Sequence, residues 1–140
     1  MKIALLSVAL MTSSSALGAT LTDMVNHLGK YLYELKLLDR PAFKQRVTRM
    51  LGQSYYTLLI RSTQVQGPLG GTRALVYFSG IEAYNGVDSV AVVVYDMTRD
   101  AMNVWLKING RLLSFEERPF VNTSLFPKDL NDAMQGLYRY

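Results

Sequence analysis

The chain has 140 residues with 15 basic and 11 acidic side chains, one histidine and no cysteine, and 49% of it is hydrophobic. The absence of cysteine excludes disulfides, thiolate metal sites and cysteine nucleophiles, so apolar packing must supply the stability. The mild basic excess favours docking to an anionic partner or the cell envelope, and it is too small and too dispersed for a nucleic-acid binder.

At the N-terminus, Lys2 precedes an apolar run from Ile3 to Met11, a serine cluster and small residues. This layout predicts a secretory leader over residues 1–18, with Ser14-Ser15-Ala16 and Ala16-Leu17-Gly18 as alternative cleavage sites. The apolar run is about half the ~20 residues needed to cross a bilayer, so no transmembrane segment is expected in the mature chain. With no cysteine to carry a lipid anchor, a periplasmic or secreted protein is expected. Residues 19–140 remain as one domain, long enough to bury roughly two thirds of its unfolded surface and too short for a second core.

Leu21, Met24, Val25, Leu28, Tyr31, Leu32 and Leu35 recur at spacings of three and four, which predicts an amphipathic helix capped by Thr20 or Thr22. A second helix is expected after Asp39-Arg40-Pro41, with Asp39 as cap, Phe43, Val47, Met50 and Leu51 on its apolar face, and Gly52 at its end. Arg40, Lys44 and Arg49 fall on its outer face and read as solvated helix surface. From Tyr55 to Ile60 aromatic and branched residues predict a strand, and Gly67-Pro68-Leu69-Gly70-Gly71 predicts turns. Ala74 to Phe78 and Val90 to Tyr95 read as central strands. Val104, Leu106 and Ile108 alternate with Trp105 and Lys107 before an Asn109-Gly110 hairpin turn and a further strand through Leu112, Leu113 and Phe115. A short helix near Leu130 to Leu137 closes the chain. The expected fold class is α+β, a central antiparallel sheet of about five strands with two N-terminal helices and a short C-terminal helix laid on one side of it.

Catalytic constellations are absent from the sequence. His27 lies within a helical pattern with no evident partner, and no histidine pair has metal-ligand spacing. Glu116 and Glu117 point to opposite faces of a strand, Asp96 and Asp100 bracket a turn, and Asp129 and Asp132 fall where helix caps are common. No cofactor, metal or catalytic residue is therefore assigned, and a binding protein is expected, not an enzyme. Trp105 is the one candidate platform for stacking a sugar, against the alternative of packing beneath a helix. Asn122-Thr123-Ser124 has the form of a glycosylation acceptor, with meaning only in a eukaryotic host.

The connection FSGIEAYNGVDS is longer than a hairpin requires. Gly80 and Gly86 bracket Ile81, Glu82, Ala83, Tyr84 and Asn85, and glycine permits the sharp turns that would project those five residues from a rigid sheet. Tyr84 offers contact area with a polar tip, while Glu82 and Asn85 offer hydrogen-bonding groups. Residues Gly80 to Gly86 are the candidate partner-binding loop.

The order of segments from Ala42 to Met134 resembles the periplasmic inhibitor of vertebrate lysozyme (Ivy) family. The resemblance is carried by AFKQRV, the strand ending YFS, the loop, DSVAVVVYD and LNDAM. It implies a protein partner, a lysozyme or a lytic transglycosylase, blocked by loop insertion, and a homodimer. In that family two cysteines bracket a lysine-proline-histidine core that plugs the cleft. Here glycines stand in the cysteine positions and no histidine is present, so Glu82, Tyr84 and Asn85 are positional equivalents only. A Glu82 carboxylate brought among catalytic carboxylates would be repelled. Two other readings follow from the same residues: a periplasmic immunity or assembly factor specific for one protein, and a small glycan-binding module.

Overall fold

The computed structural model describes residues 23–85, 88–119 and 126–138. The expected leader, the caps Thr20 and Thr22, Gly86 and the Asn122 triad lie outside the described residues.

Runs of apolar and β-branched side chains dictate the sheet. Its strands are β1 (Val65–Gln66), β2 (Gly70–Gly71), β3 (Leu75–Ile81), β4 (Ser89–Asp96), β5 (Ala101–Ile108) and β6 (Arg111–Glu116), all pairing antiparallel in the order β1-β3-β4-β5-β6, with β2 also on β3. Asn109 and Gly110 both take positive φ, 49° and 77°, as the tight β5–β6 hairpin requires, and set Ile108 opposite Arg111. Every residue of β4 is buried. The cause is burial on both faces: Ala91, Val93 and Tyr95 enter one core with Phe43, Val47, Tyr56 and Leu59, while Val90, Val92 and Val94 enter a second core with Trp105, Phe126, Leu130 and Leu137. The C-terminal helix thus covers the face opposite the N-terminal helices, a two-sided arrangement in place of the one-sided cover expected.

Four α-helices are present among the described residues: α1 (Leu32–Leu35), α2 (Pro41–Leu51), α3 (Gln53–Arg61) and α4 (Lys128–Gly136). The continuous first helix expected from residue spacing is broken into a 3-10 turn (Asp23–His27), α1 and a second 3-10 turn (Leu37–Asp39). Gly29, at φ 88°, donates its N–H to the Leu69 carbonyl at 2.7 Å, and Leu69 donates to the Lys30 carbonyl at 2.8 Å. These bonds divert the backbone from a helical ladder into a crosslink with the β1–β2 connection. Met24, Leu32 and Leu37 still reach the core. Pro41 opens α2 as expected, but Arg40, not Asp39, precedes it as cap, with no side-chain capping bond.

Residues Tyr55 to Ile60, expected as a strand, lie in α3. Tyr56 and Leu59, three apart, are buried against the first core, and the Tyr56 hydroxyl donates to the Leu38 carbonyl. Helix-period burial overrides the local preference of tyrosine, threonine and isoleucine for strands. Gly52, at φ 85°, turns the chain between α2 and α3.

Arg46 of α2 ties the helical layer to the sheet. Its guanidinium lies 2.8 Å from Asp100 Oδ1 and 2.9 Å from Glu117 Oε1, with its carbon 5.4 Å from the centre of the Tyr95 ring. The Tyr95 hydroxyl donates to Asp100, and the Met102 N–H donates to Glu117.

Candidate functional site

The β3–β4 connection is shorter than its glycines suggest. Ile81 pairs with Val90, and the Glu82 N–H still donates to the Ser89 carbonyl at 3.0 Å, so Gly80 and Ile81 belong to the ladder and the projecting segment starts at Glu82. This corrects the hinge role expected of Gly80. A Cβ there would stand 2.7 Å from Thr63 Cα and 2.9 Å from the Ser62 carbonyl oxygen, closer than real side chains come. Gly80 is required because the chain leaving α3 crosses directly over the strand. That close approach brings Arg61 and Gln64 alongside the loop.

From Glu82 the chain folds on itself. The Asn85 N–H donates to the Glu82 carbonyl at 3.3 Å, and the N–H groups of Asp88 and Ser89 donate to the Asn85 carbonyl at 3.1 and 3.0 Å. Asn85 Nδ2 donates to Glu82 Oε2 at 3.3 Å and to Ser89 Oγ at 3.2 Å. Arg61 Nε meets Glu82 Oε1 at 3.0 Å, and the Ala83 N–H donates to Gln64 Oε1 at 3.1 Å. The Glu82 side chain is only 18% exposed. It is occupied on both oxygens inside the protein, so it is a brace and not the free projecting acceptor expected from the sequence. Asn85 has the same internal role.

Of Glu82, Tyr84 and Asn85, Tyr84 alone is presented outward. It is fully solvent-exposed at 107% and sits at φ 64°. The left-handed region costs a residue with a Cβ on the order of 1–3 kcal/mol and persists only where neighbours enforce it. The bonds at Glu82, Ala83 and Asn85 supply that enforcement.

Ile81 and Val65 form an exposed cross-strand pair, 37% and 52% accessible, at the foot of the loop. They open onto a groove of about 410 Å³ between β1, β3 and α4, walled by Val90, Asp132 and Ala133. Arg61 and Gln64 were not recoverable from the sequence, because they follow a segment that reads as a strand and meet the loop across some 20 residues of chain.

The remaining candidates are placed elsewhere. His27 does have a partner: its Nε2 lies 3.2 Å from Asp23 Oδ2, one helical turn earlier. That contact holds the Asp23 carboxyl below its ordinary range, after the larger effect of an Asn26 hydrogen bond. No cluster of three metal-ligating side chains occurs among the described residues. Trp105 is 7% exposed within the core beneath α4, which removes it as a stacking platform for a glycan. On α2, Lys44 and Arg49 face solvent, as expected. No helix among the described residues is long and apolar enough to cross a membrane.

The described residues thus define a class of protein, a two-faced α+β domain with one braced finger that presents Tyr84 to solvent. The match of the Ivy model, inhibitor of vertebrate lysozyme, to residues 42–139 narrows that class. The chain belongs to the Ivy family and is a lysozyme-inhibitor-like protein. No curated protein and no solved structure matches it.

Proposed function

We propose that this protein is exported to the periplasm and blocks a peptidoglycan-cleaving enzyme by inserting the β3–β4 finger that starts at Glu82, led by Tyr84, into the catalytic cleft. The observation that carries the reading is Tyr84 itself, fully exposed and held in a disfavoured backbone conformation at the tip of a braced loop. Its phenol is a hydrogen-bond donor that can meet a catalytic carboxylate as a neutral group. Pairing with Arg61 removes the repulsion that a free Glu82 would bring to such a cleft. Family membership supports a lysozyme-type target, and the sequence of the first 18 residues supports export.

The test is inhibition of c-type and g-type lysozymes and of an endogenous lytic transglycosylase by the purified protein. Inhibition of at least one, lost in Tyr84→Ala, is expected; no inhibition and no complex with any of them removes the reading. A homodimer belongs to the same reading and is checked by sedimentation equilibrium.

The exposed Val65–Ile81 pair beside the groove favours a second reading, an immunity or assembly factor that grips one partner through the sheet edge. Capture from envelope extract separates the two. Tyr84→Ala abolishes capture if the finger is the contact, whereas Val65→Ser abolishes it if the sheet edge is.

A further inference from the structure

We propose that Arg61, the last residue of α3, and Gln64, three residues beyond it, are positioning residues for Tyr84, forming with Glu82 and Asn85 a polar clasp that keeps the β3–β4 finger in one shape without a covalent link. This deepens the reading of the finger as the binding element and rests on it for the effect at a target. The clasp itself is a property of the free protein.

The geometry has three parts. One carboxylate joins two structures: Glu82 Oε1 takes the Arg61 Nε at 3.0 Å and Glu82 Oε2 takes the Asn85 Nδ2 at 3.3 Å, so helix end and turn are fastened through a single side chain. The next residue is fastened from the same side, with the Ala83 N–H on Gln64 Oε1 at 3.1 Å. Beyond it the Asn85 carbonyl closes the turn by accepting from Asp88 and Ser89. Tyr84 stands between these fixed points at φ 64° with its ring entirely in solvent. With no packing of its own, its ring direction is set by the residues on either side. Without the clasp the backbone at Tyr84 relaxes from the left-handed region, and a target must then reorder the finger on docking.

Gly80 makes the clasp reachable. Because the Ser62–Thr63 backbone rests on that glycine, Arg61 and Gln64, which flank it in sequence, both reach the point where the strand becomes loop. Arg61 is 59% exposed, so its ion pair is screened by salt, and it contributes little to global stability. Its effect is local.

Amide hydrogen exchange on the free protein tests the clasp. Arg61→Ala is expected to accelerate exchange at Asn85, Asp88 and Ser89 about two- to fivefold, and Gln64→Ala to do so at Ala83. The double variant is expected to accelerate all four on the order of tenfold. Val92 and Val93 in β4 serve as unaffected controls. Arg61→Lys restores the pair and slows exchange again, and 1 M salt accelerates the wild type but not Arg61→Ala. Unchanged exchange at the four loop amides in the double variant overturns the clasp. The positioning role is read on a lysozyme that the wild type binds: the double variant is expected to lose affinity on the order of tenfold at unchanged melting temperature. Wild-type affinity in a variant whose finger has loosened overturns that role. If the wild type binds no lysozyme, the proposed function fails, and the exchange data still decide the clasp.

Discussion

Thr63 and Gly80 touch backbone to backbone: a methyl group on Gly80 would come 2.7 Å from Thr63 Cα, with Thr63 Cγ2 at 3.1 Å. The two nearest obstacles, Thr63 Cα and the Ser62 carbonyl oxygen at 2.9 Å, are backbone atoms that cannot swing aside. Gly80→Ala is therefore expected to push the α3–β1 connection off the strand and destabilise the fold by about 1–3 kcal/mol. Denaturant melts give that number. Because the same displacement carries Arg61 and Gln64 away from the loop, exchange at Ala83 and Ser89 should also accelerate. A variant as stable as the wild type would show that the contact is slack.

The contact between Thr63 and Gly80 also marks what was legible in the sequence. Strands β3 to β6 follow from the apolar runs Ala74–Phe78 and Val90–Tyr95, from the alternation at Val104–Ile108 and from Asn109-Gly110, all local signals. Tyr84 and Asn85 were recognisable at the tip of a connection. The break at Gly29 was not, since it depends on Leu69, forty residues away in the chain. Nor was α3: its tyrosines and isoleucine prefer strands locally, and only the core contacted by Tyr56 and Leu59 decides otherwise. Gly80 reads as a hinge because sequence shows permissive backbone and not the neighbour that demands it. Arg61 and Gln64 then disappear as site residues, being assigned to the wrong kind of element and joined to the loop only in three dimensions.

Arg46 predicts the acid limb of stability. Its guanidinium hydrogen-bonds to Asp100 and, with the Tyr95 hydroxyl as the next contribution, holds the Asp100 carboxyl below its ordinary value. A carboxylate whose folded pKa is depressed binds fewer protons folded than unfolded near pH 4, so its stabilisation is present above the unfolded pKa of about 4 and is lost as pH falls through the lower folded value. Asp100 is 69% exposed, which keeps its share small. Arg46→Ala also removes the guanidinium from Glu117, which keeps only the Met102 N–H, and at neutral pH it is expected to cost about 2–3 kcal/mol. Thermal melts from pH 7 to pH 3 should show the gap between the wild type and Arg46→Ala narrowing slightly toward acid; a constant gap would remove the Asp100 carboxylate as a cause.

Tyr77 predicts the alkaline limb. Its hydroxyl donates to the Asp129 carboxylate at 2.7 Å, fastening α4 to the sheet, and burial followed by that hydrogen bond pushes the phenol pKa well up. Tyr56 and Tyr95 are each pushed up to about 12, chiefly by burial. Folded phenols therefore hold protons that unfolded ones release. Their contribution is complete below the unfolded pKa of about 10 and is lost as pH rises from there through the folded values. Tyr77→Phe is expected to cost about 1–2 kcal/mol at pH 7 and to flatten the decline above pH 10. Urea melts at pH 7 and pH 11 check both. Gly70→Ala offers an independent probe, since its Cβ would overlap the Tyr77 ring and must displace it.

Asn103 is the place where a substitution should stabilise the protein. It lies on β5 in register with Val94 of β4 and Glu116 of β6, on the face that carries Trp105, and it is completely buried. Neither its Nδ2 nor its Oδ1 has a hydrogen-bond partner among the described residues. An amide removed from water with no replacement bond costs about 1–3 kcal/mol. Leucine has nearly the same shape and meets Val94 with apolar surface. Asn103→Leu is expected to raise stability by about 1–2 kcal/mol, several degrees in melting temperature for a domain of this size. Asn103→Asp provides the opposite sign: it buries a carboxylate, so it should destabilise more at pH 7 than at pH 4, where protonation removes the charge. A lower melting temperature for Asn103→Leu would contradict the prediction and show that the amide is satisfied in solution, by a buried water or by a neighbouring segment.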